Sequence, residues 1–203
     1  MIIARYADDI VDGFGHKRCV RRFWDAMRER LGAYAWRRHP EETRLIAFGR
    51  FAADRRARRG LGKPETFPFL GFTVISGKSL GGKFLIHRRT RSDCLRARPQ
   101  AIKAEFRKRM HQSIPDQGKW LAHGVKGYCA YHAAPANMSA LAAFRHHVGS
   151  LWLRTLRRRS QKDRLPWRRL QRLVDDRLPK PRILHPWPAL RFAVKHARSA
   201  ACA

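Results

Sequence analysis

The sequence predicts an α+β fold in which short β-hairpins and one helix lead into an all-α bundle and then an extended tail. Three observations carry this reading. Up to about residue 90, short β-rich apolar runs are punctuated by glycine-rich turns. From about 95 to 178, apolar residues recur at helical spacing with basic residues between them. Beyond 178 the stretch LPKPRILHPWP is proline-rich and extended.

The first strands are Ile2 to Tyr6 and Ile10 to Val11, flanking Ala7-Asp8-Asp9 at the tip of a tight hairpin. A strand that starts at residue 2 needs partners, which raises the expectation of a further N-terminal portion. From His16 to Leu31, Val20, Phe23, Trp24, Met27 and Leu31 mark one helical face, with Gly32 as the stop. Arg44 to Phe48 reads as a short strand and residues 54–64 as a charged loop. Phe67 to Ile75 and Lys83 to Arg89 read as strands joined by the glycine-rich turn SGKSLGGK.

Pro99 fits the first position of the next helix, which carries Ile102, Phe106 and Met110. A second runs from Asp116 to His132 with Trp120, Leu121, Val125 and Tyr128 on one side. Asn137 is expected to N-cap a third, carrying Leu141, Phe144, Val148, Leu151 and Trp152. A short fourth starts at Pro166. The organisation expected is therefore 1–90, 95–178 and a basic tail, 179–203.

Composition points to a partner. The chain of 203 residues holds 45 Lys and Arg against 15 Asp and Glu, a net charge of +30, with 44% hydrophobic residues. That content supports a core, so this is not a disordered basic tail. A compact body with this charge repels itself unless a polyanion neutralises it, and nucleic acid is the obvious one. No apolar run approaches the roughly 20 residues of a spanning helix, so no membrane partner is expected. Cys19, Cys94, Cys129 and Cys202 are scattered without a C-x-x-C pair, which argues against a zinc knuckle and for a reducing, cytoplasmic setting.

Asp8 and Asp9 are the candidate catalytic and metal-binding residues. Carboxylates on a turn can hold a hard divalent cation, and a cation pair there can organise phosphoryl transfer. A solvated turn is the bland alternative. Asp175-Asp176, on a basic helix, reads as surface charge. His146-His147 is a poor ligand pair, since adjacent helical residues point about 100° apart. Trp120 and Tyr128 read as core, while Tyr131 stays open between core and base stacking.

RYADDIV resembles the YxDD hairpin of reverse transcriptases. HPEETRLIAFGRFAA, KPETFPFLGFTVISGKSLGGKFLIHRRT, MHQSIPDQGKWLAHGVKGYCAYHA, LWLRTLRRRSQKDRLPW and LPKPRILHPWP follow in order. Together they resemble a bacterial group II intron-encoded reverse transcriptase/maturase over residues 1 to about 197. The resemblance implies that 1–90 is the end of the palm, with Asp8 and Asp9 binding Mg2+ and Phe69, Leu70, Gly71 and Phe72 at the primer grip. It implies that 95–178 is the thumb or maturase domain X. The partners it implies are group II intron RNA and an RNA/DNA template–primer.

The family's site uses a third aspartate and fingers that have no counterpart here, and Glu42 stands where the family usually has Lys. The expectation is an RNA-directed DNA polymerase by family that is not competent alone, unless an N-terminal fragment complements it. A non-catalytic RNA-binding maturase-like module is the alternative. A basic RNA-binding protein of ribosomal type is a third reading, opposed by the ordered blocks. Two clusters are candidate RNA-binding surfaces: Lys103, Arg107, Lys108 and Arg109, and Arg154, Arg157, Arg158 and Arg159.

Overall fold

The computed structural model describes residues 2–7, 9–35, 43–79, 81–159 and 166–187. Among them the chain is α+β, with two small antiparallel sheets and six helices. It divides into two compact units, residues 1–47 and 48–203.

The first unit holds β1 (Ile2–Tyr6), β2 (Asp9–Gly13) and α1 (Lys17–Ala33). Tyr6 pairs with Asp9 and Ile2 with Gly13, so only two residues connect the strands. Ala7 takes a positive φ of 49°, as the turn of a two-residue hairpin requires. The hairpin expected around Ala7-Asp8-Asp9 is thus present, with Asp9 drawn into β2. In α1 the five residues predicted to share a face are half-buried, and Phe14 packs against Phe23 at 5.1 Å. The helix runs through the predicted stop at Gly32 to Ala33.

The second unit opens with α2 (Ala52–Ala57), where a loop was expected. Alanine and arginine are good helix formers, and Arg56 ties the following turn down through Gly62 O at 3.2 Å and Glu65 at 2.7 Å. Residues 44–48, expected to be a strand, form none; the described strands pair only as β1–β2 and β3–β4–β5. β3 (Phe67–Phe69), β4 (Phe72–Lys78) and β5 (Phe84–Thr90) form a meander. The stretch expected to be one strand is folded at Leu70-Gly71, both at positive φ (49° and 71°). The second hairpin, β4 to β5, is as expected.

Four helices follow: α3 (Ser92–Lys108), α4 (Ile114–His132), α5 (Met138–Arg157) and α6 (Trp167–Arg177). α3 starts seven residues before Pro99, which lies inside it. Pro99 leaves one helical bond unmade but is buried on the same face as Ile102 and Phe106. Ser113 caps α4, accepting from Asp116 N at 3.3 Å. The core joins Ile102, Phe106, Leu121, Val125, Leu141, Phe144, Val148, Trp152, Leu170 and Val174. Within it Trp152 donates to Gln117 Oε1 at 2.9 Å, and Gln117 donates to Arg109 O at 2.7 Å.

Asn137 precedes α5 but makes no side-chain cap. It is buried and turned toward the sheet instead. Its Oδ1 accepts from Thr90 N at 3.0 Å, and its Nδ2 donates to Thr90 Oγ1 and to His132 O, both at 2.8 Å. These bonds fasten the end of β5 to the junction between α4 and α5. Residues 179–187 are extended, as expected, and return to that junction, where Leu184 N and His185 N donate to Ala133 O at 3.2 Å.

Candidate nucleic-acid interface

α3 and α5 carry the two basic clusters, and the structure makes one surface of them. Their C-terminal ends adjoin, because the Arg159 guanidinium donates to the carbonyls of Met110 and Gln112. Ile102 and Phe106 of α3 and Leu151 of α5 belong to the shared core. Residues four apart on a helix lie on one side. The next stripe outward therefore presents Lys103 and Arg107 from α3, and Arg154 from α5 with Arg158 at its C-cap. These four line one cleft of about 100 Å³ with Phe106, Met110, Leu151 and Thr155. All four cations are exposed, and none is ion-paired among the described residues.

The other members of the two clusters are used differently. Lys108 is ion-paired with Glu105 at 2.8 Å. Lys108, followed by Arg109, draws the Glu105 carboxyl below its usual range. Arg109 lies over the Trp120 ring at 5.1 Å, and Arg159 is committed to the loop carbonyls. Arg157 is exposed. Sequence spacing alone found the cations but could not sort them. It also missed Thr155, whose hydroxyl bonds back to Leu151 O at 3.0 Å on the cleft wall. A lone threonine among arginines gives no signal in the sequence.

The physics of the cleft is simple. Four unpaired charges in a concavity with an apolar floor repel one another and attract an anion. Within each helix the pair is separated by about 6 Å of rise, close to the spacing of neighbouring phosphates on one strand. Guanidinium groups bind phosphate oxygens through two parallel hydrogen bonds.

The acidic hairpin is the second site read from the sequence. Asp8 and Glu42 lie outside the described residues. Asp9 is exposed at the start of β2. Asp12 is the nearest other acid, but three residues on in a strand it faces the opposite way. Its Oδ1 is buried without a hydrogen-bond partner, and burial pushes its carboxyl above the usual range. Asp9 and Asp12 therefore cannot share one cation. No group of three or more His, Cys, Asp or Glu converges among the described residues. His146, one of the adjacent histidines, packs against Trp167 at 5.2 Å.

Phe69, Leu70, Gly71 and Phe72 form the β3–β4 turn. Phe69 pairs with Phe72, Tyr131 Oη donates to Leu70 O at 3.0 Å, and Arg91 N donates to Gly71 O at 3.0 Å. The Phe72 ring lies 5.2 Å from His132 and 6.0 Å from Tyr131. Trp120 and Tyr128 pack on the core as expected. Tyr128 stacks on Phe144 at 3.7 Å, and burial pushes its phenol up to about 12.

Among the described residues no helix is long and apolar enough to cross a membrane. Compared with protein-family models, with curated proteins and with solved structures, the chain matches none.

Proposed function

We propose that this chain binds structured RNA through the α3–α5 cleft and is a protein of the group II intron reverse transcriptase/maturase type. The observation that carries the binding is the convergence of Lys103, Arg107, Arg154 and Arg158, unpaired among the described residues, on one concavity. The family reading rests on the ordered sequence blocks. A two-residue hairpin that begins its second strand at Asp9 supports that reading. In it Asp8 and Asp9 would hold Mg2+, which supplies Lewis-acid stabilisation of phosphate charge. Asp12 faces away from Asp9, so a polymerase site needs a further carboxylate from elsewhere. The activity proposed for this chain alone is accordingly RNA binding, with residues 1–90 as the palm end and 95–178 as the thumb or maturase bundle.

The test is a salt titration. Neutralising Lys103, Arg107, Arg154 and Arg158 to Gln should weaken binding and flatten the log–log salt slope by about 3, near 0.7 per lost contact on single-stranded regions. The control changes Arg168, Arg169, Arg172 and Lys180 to Gln, an equal loss of net charge. Equal flattening in both variants would reduce the cleft to general electrostatics. A group II intron RNA held no tighter than a random RNA of equal length would remove the maturase reading and leave the cleft.

A further inference from the structure

The sequence leaves Tyr131 open between core and stacking, and the structure resolves its surroundings. Tyr131 is 54% exposed. It is also fixed at both ends: its hydroxyl donates to Leu70 O at 3.0 Å, and its ring stacks on Phe72, 6.0 Å away and 18° from parallel. An aromatic ring held this way has little conformational entropy left to lose when something covers it.

The helix surface beside it is open. A helical side chain leans over the turn before it, which for Tyr131 is the turn of Gly127. A Cβ added at Gly127 would meet nothing within 4 Å, whereas one at Gly118 would meet Trp152 and Arg177 at 3.4 Å. Packing therefore accounts for Gly118 but not for Gly127, although glycine inside a helix is destabilising. Lys126 is exposed next to it.

The ring also has a fixed relation to the cleft. A Cβ at Gly71 would lie 3.8 Å from the Tyr131 ring and 3.9 Å from Cys94 Sγ. Cys94 stands in the first turn of α3, and Lys103 follows nine residues on, about 14 Å along the axis. At the roughly 6 Å between neighbouring phosphates of one strand, that is about two steps, so three nucleotides span it.

We infer that Tyr131 is a stacking platform for one unpaired nucleobase of a strand whose phosphates occupy the α3–α5 cleft. Sequence-tolerant binding of single strands combines these two elements, a cationic track and an aromatic ring on which a base stacks. This rests on the nucleic-acid reading of the cleft, and the experiment separates the two.

The full chain is titrated with an eight-nucleotide single strand, in RNA and DNA forms, and with an abasic strand of the same length. Tyr131→Leu should bind the natural strand about ten-fold more weakly and the abasic strand as the parent does. Tyr131→Phe keeps the ring and should stay within about two-fold. A 2-aminopurine in the strand should be quenched by the parent and by Tyr131→Phe but not by Tyr131→Leu, and a two-nucleotide strand should not distinguish the variants. Gly127→Leu leaves Tyr131 in place and fills the approach, so it should weaken binding without speeding amide exchange in α4. If the parent binds neither strand, the cleft reading fails first. If Tyr131→Leu binds the natural strand like the parent, or Tyr131→Phe loses as much as Tyr131→Leu, stacking is overturned and the residue serves only the β3–β4 turn. A loss confined to RNA, or to DNA, identifies the strand.

Discussion

The two units of this chain use the same sequence device with opposite results. In residues 1–47 the face of α1 built from Val20, Phe23, Trp24, Met27 and Leu31 has helical periodicity, and β1–β2 carries Ile2, Ile3, Tyr6 and Ile10. Yet no described residue of this unit is buried, and those four are all more than half exposed. In residues 48–203 equally ordinary periodicity on α3, α4 and α5 yields Phe144, Val148 and Trp152 with no exposure at all. Periodicity makes a face, and burial requires that several faces close on one another. One helix and one two-stranded hairpin do not provide enough surface to do so.

Mutating one residue of each apolar face tests this contrast most strongly. Trp152→Ala removes the largest fully buried side chain and strands Gln117 Oε1, so it should cost about 3–5 kcal/mol. Phe23→Ala removes a half-buried ring whose neighbours are themselves half-exposed, and should cost about 1 kcal/mol or less. Amide exchange followed segment by segment reads both, since one global midpoint is ill-defined for two units. A Phe23→Ala loss as large as that of Trp152→Ala would mean that the first unit has a core of its own.

Legibility in the sequence follows the same division. Helix faces, the β4–β5 hairpin and the acidic turn were readable because each is a local pattern. The start of α3 was not, because Pro99 signals a beginning while burial beside Ile102 holds it inside. Nor was the role of Asn137, whose position favours a cap but whose side chain turns to Thr90. The candidate site divides likewise. All eight basic residues were visible as charge, but which four converge depends on how α3 and α5 meet. Leu70-Gly71 was hidden because FPFLGFTVI reads as one strand until both residues take positive φ.

The Asn137 bonds give an intermediate effect. Asn137→Ala leaves Thr90 N without its side-chain partner, while His132 O keeps its bond from Ala134 N, and should cost about 1–3 kcal/mol. An ordinary N-cap loses about 1 kcal/mol, with fraying limited to the first turn of its helix. Faster exchange at the Thr90 amide and at the C-terminal turn of α4, together, would identify the stitch. Fraying of Met138–Leu141 alone would return Asn137 to a capping role.

The smallest effect concerns His132, and it sharpens the comparison by placing a titration in the second unit only. His132 is buried beside Thr90 Oγ1, 3.4 Å from its Nδ1, with the rings of Phe72, Tyr128 and Tyr131 around it. No carboxylate pairs with it among the described residues, and desolvation holds its pKa below the ordinary 6.5. The unfolded chain therefore binds a proton at a higher pH than the folded chain does, so stability rises with pH across that interval. The contribution is fully present above 6.5 and is lost as pH falls from there toward the lowered folded value. Amide protection in α4 and β5 of the parent and of His132→Gln, measured in steps from pH 8 to pH 5 and corrected for intrinsic exchange rates, should converge as the pH falls, because only the parent loses stability by this route. Exchange in β1–β2 should show no such dependence on residue 132. Parallel protection across the range would mean that water or a side chain from outside the described residues solvates the imidazolium, and the β3–β4 turn would then rest on a wetter joint than its burial implies.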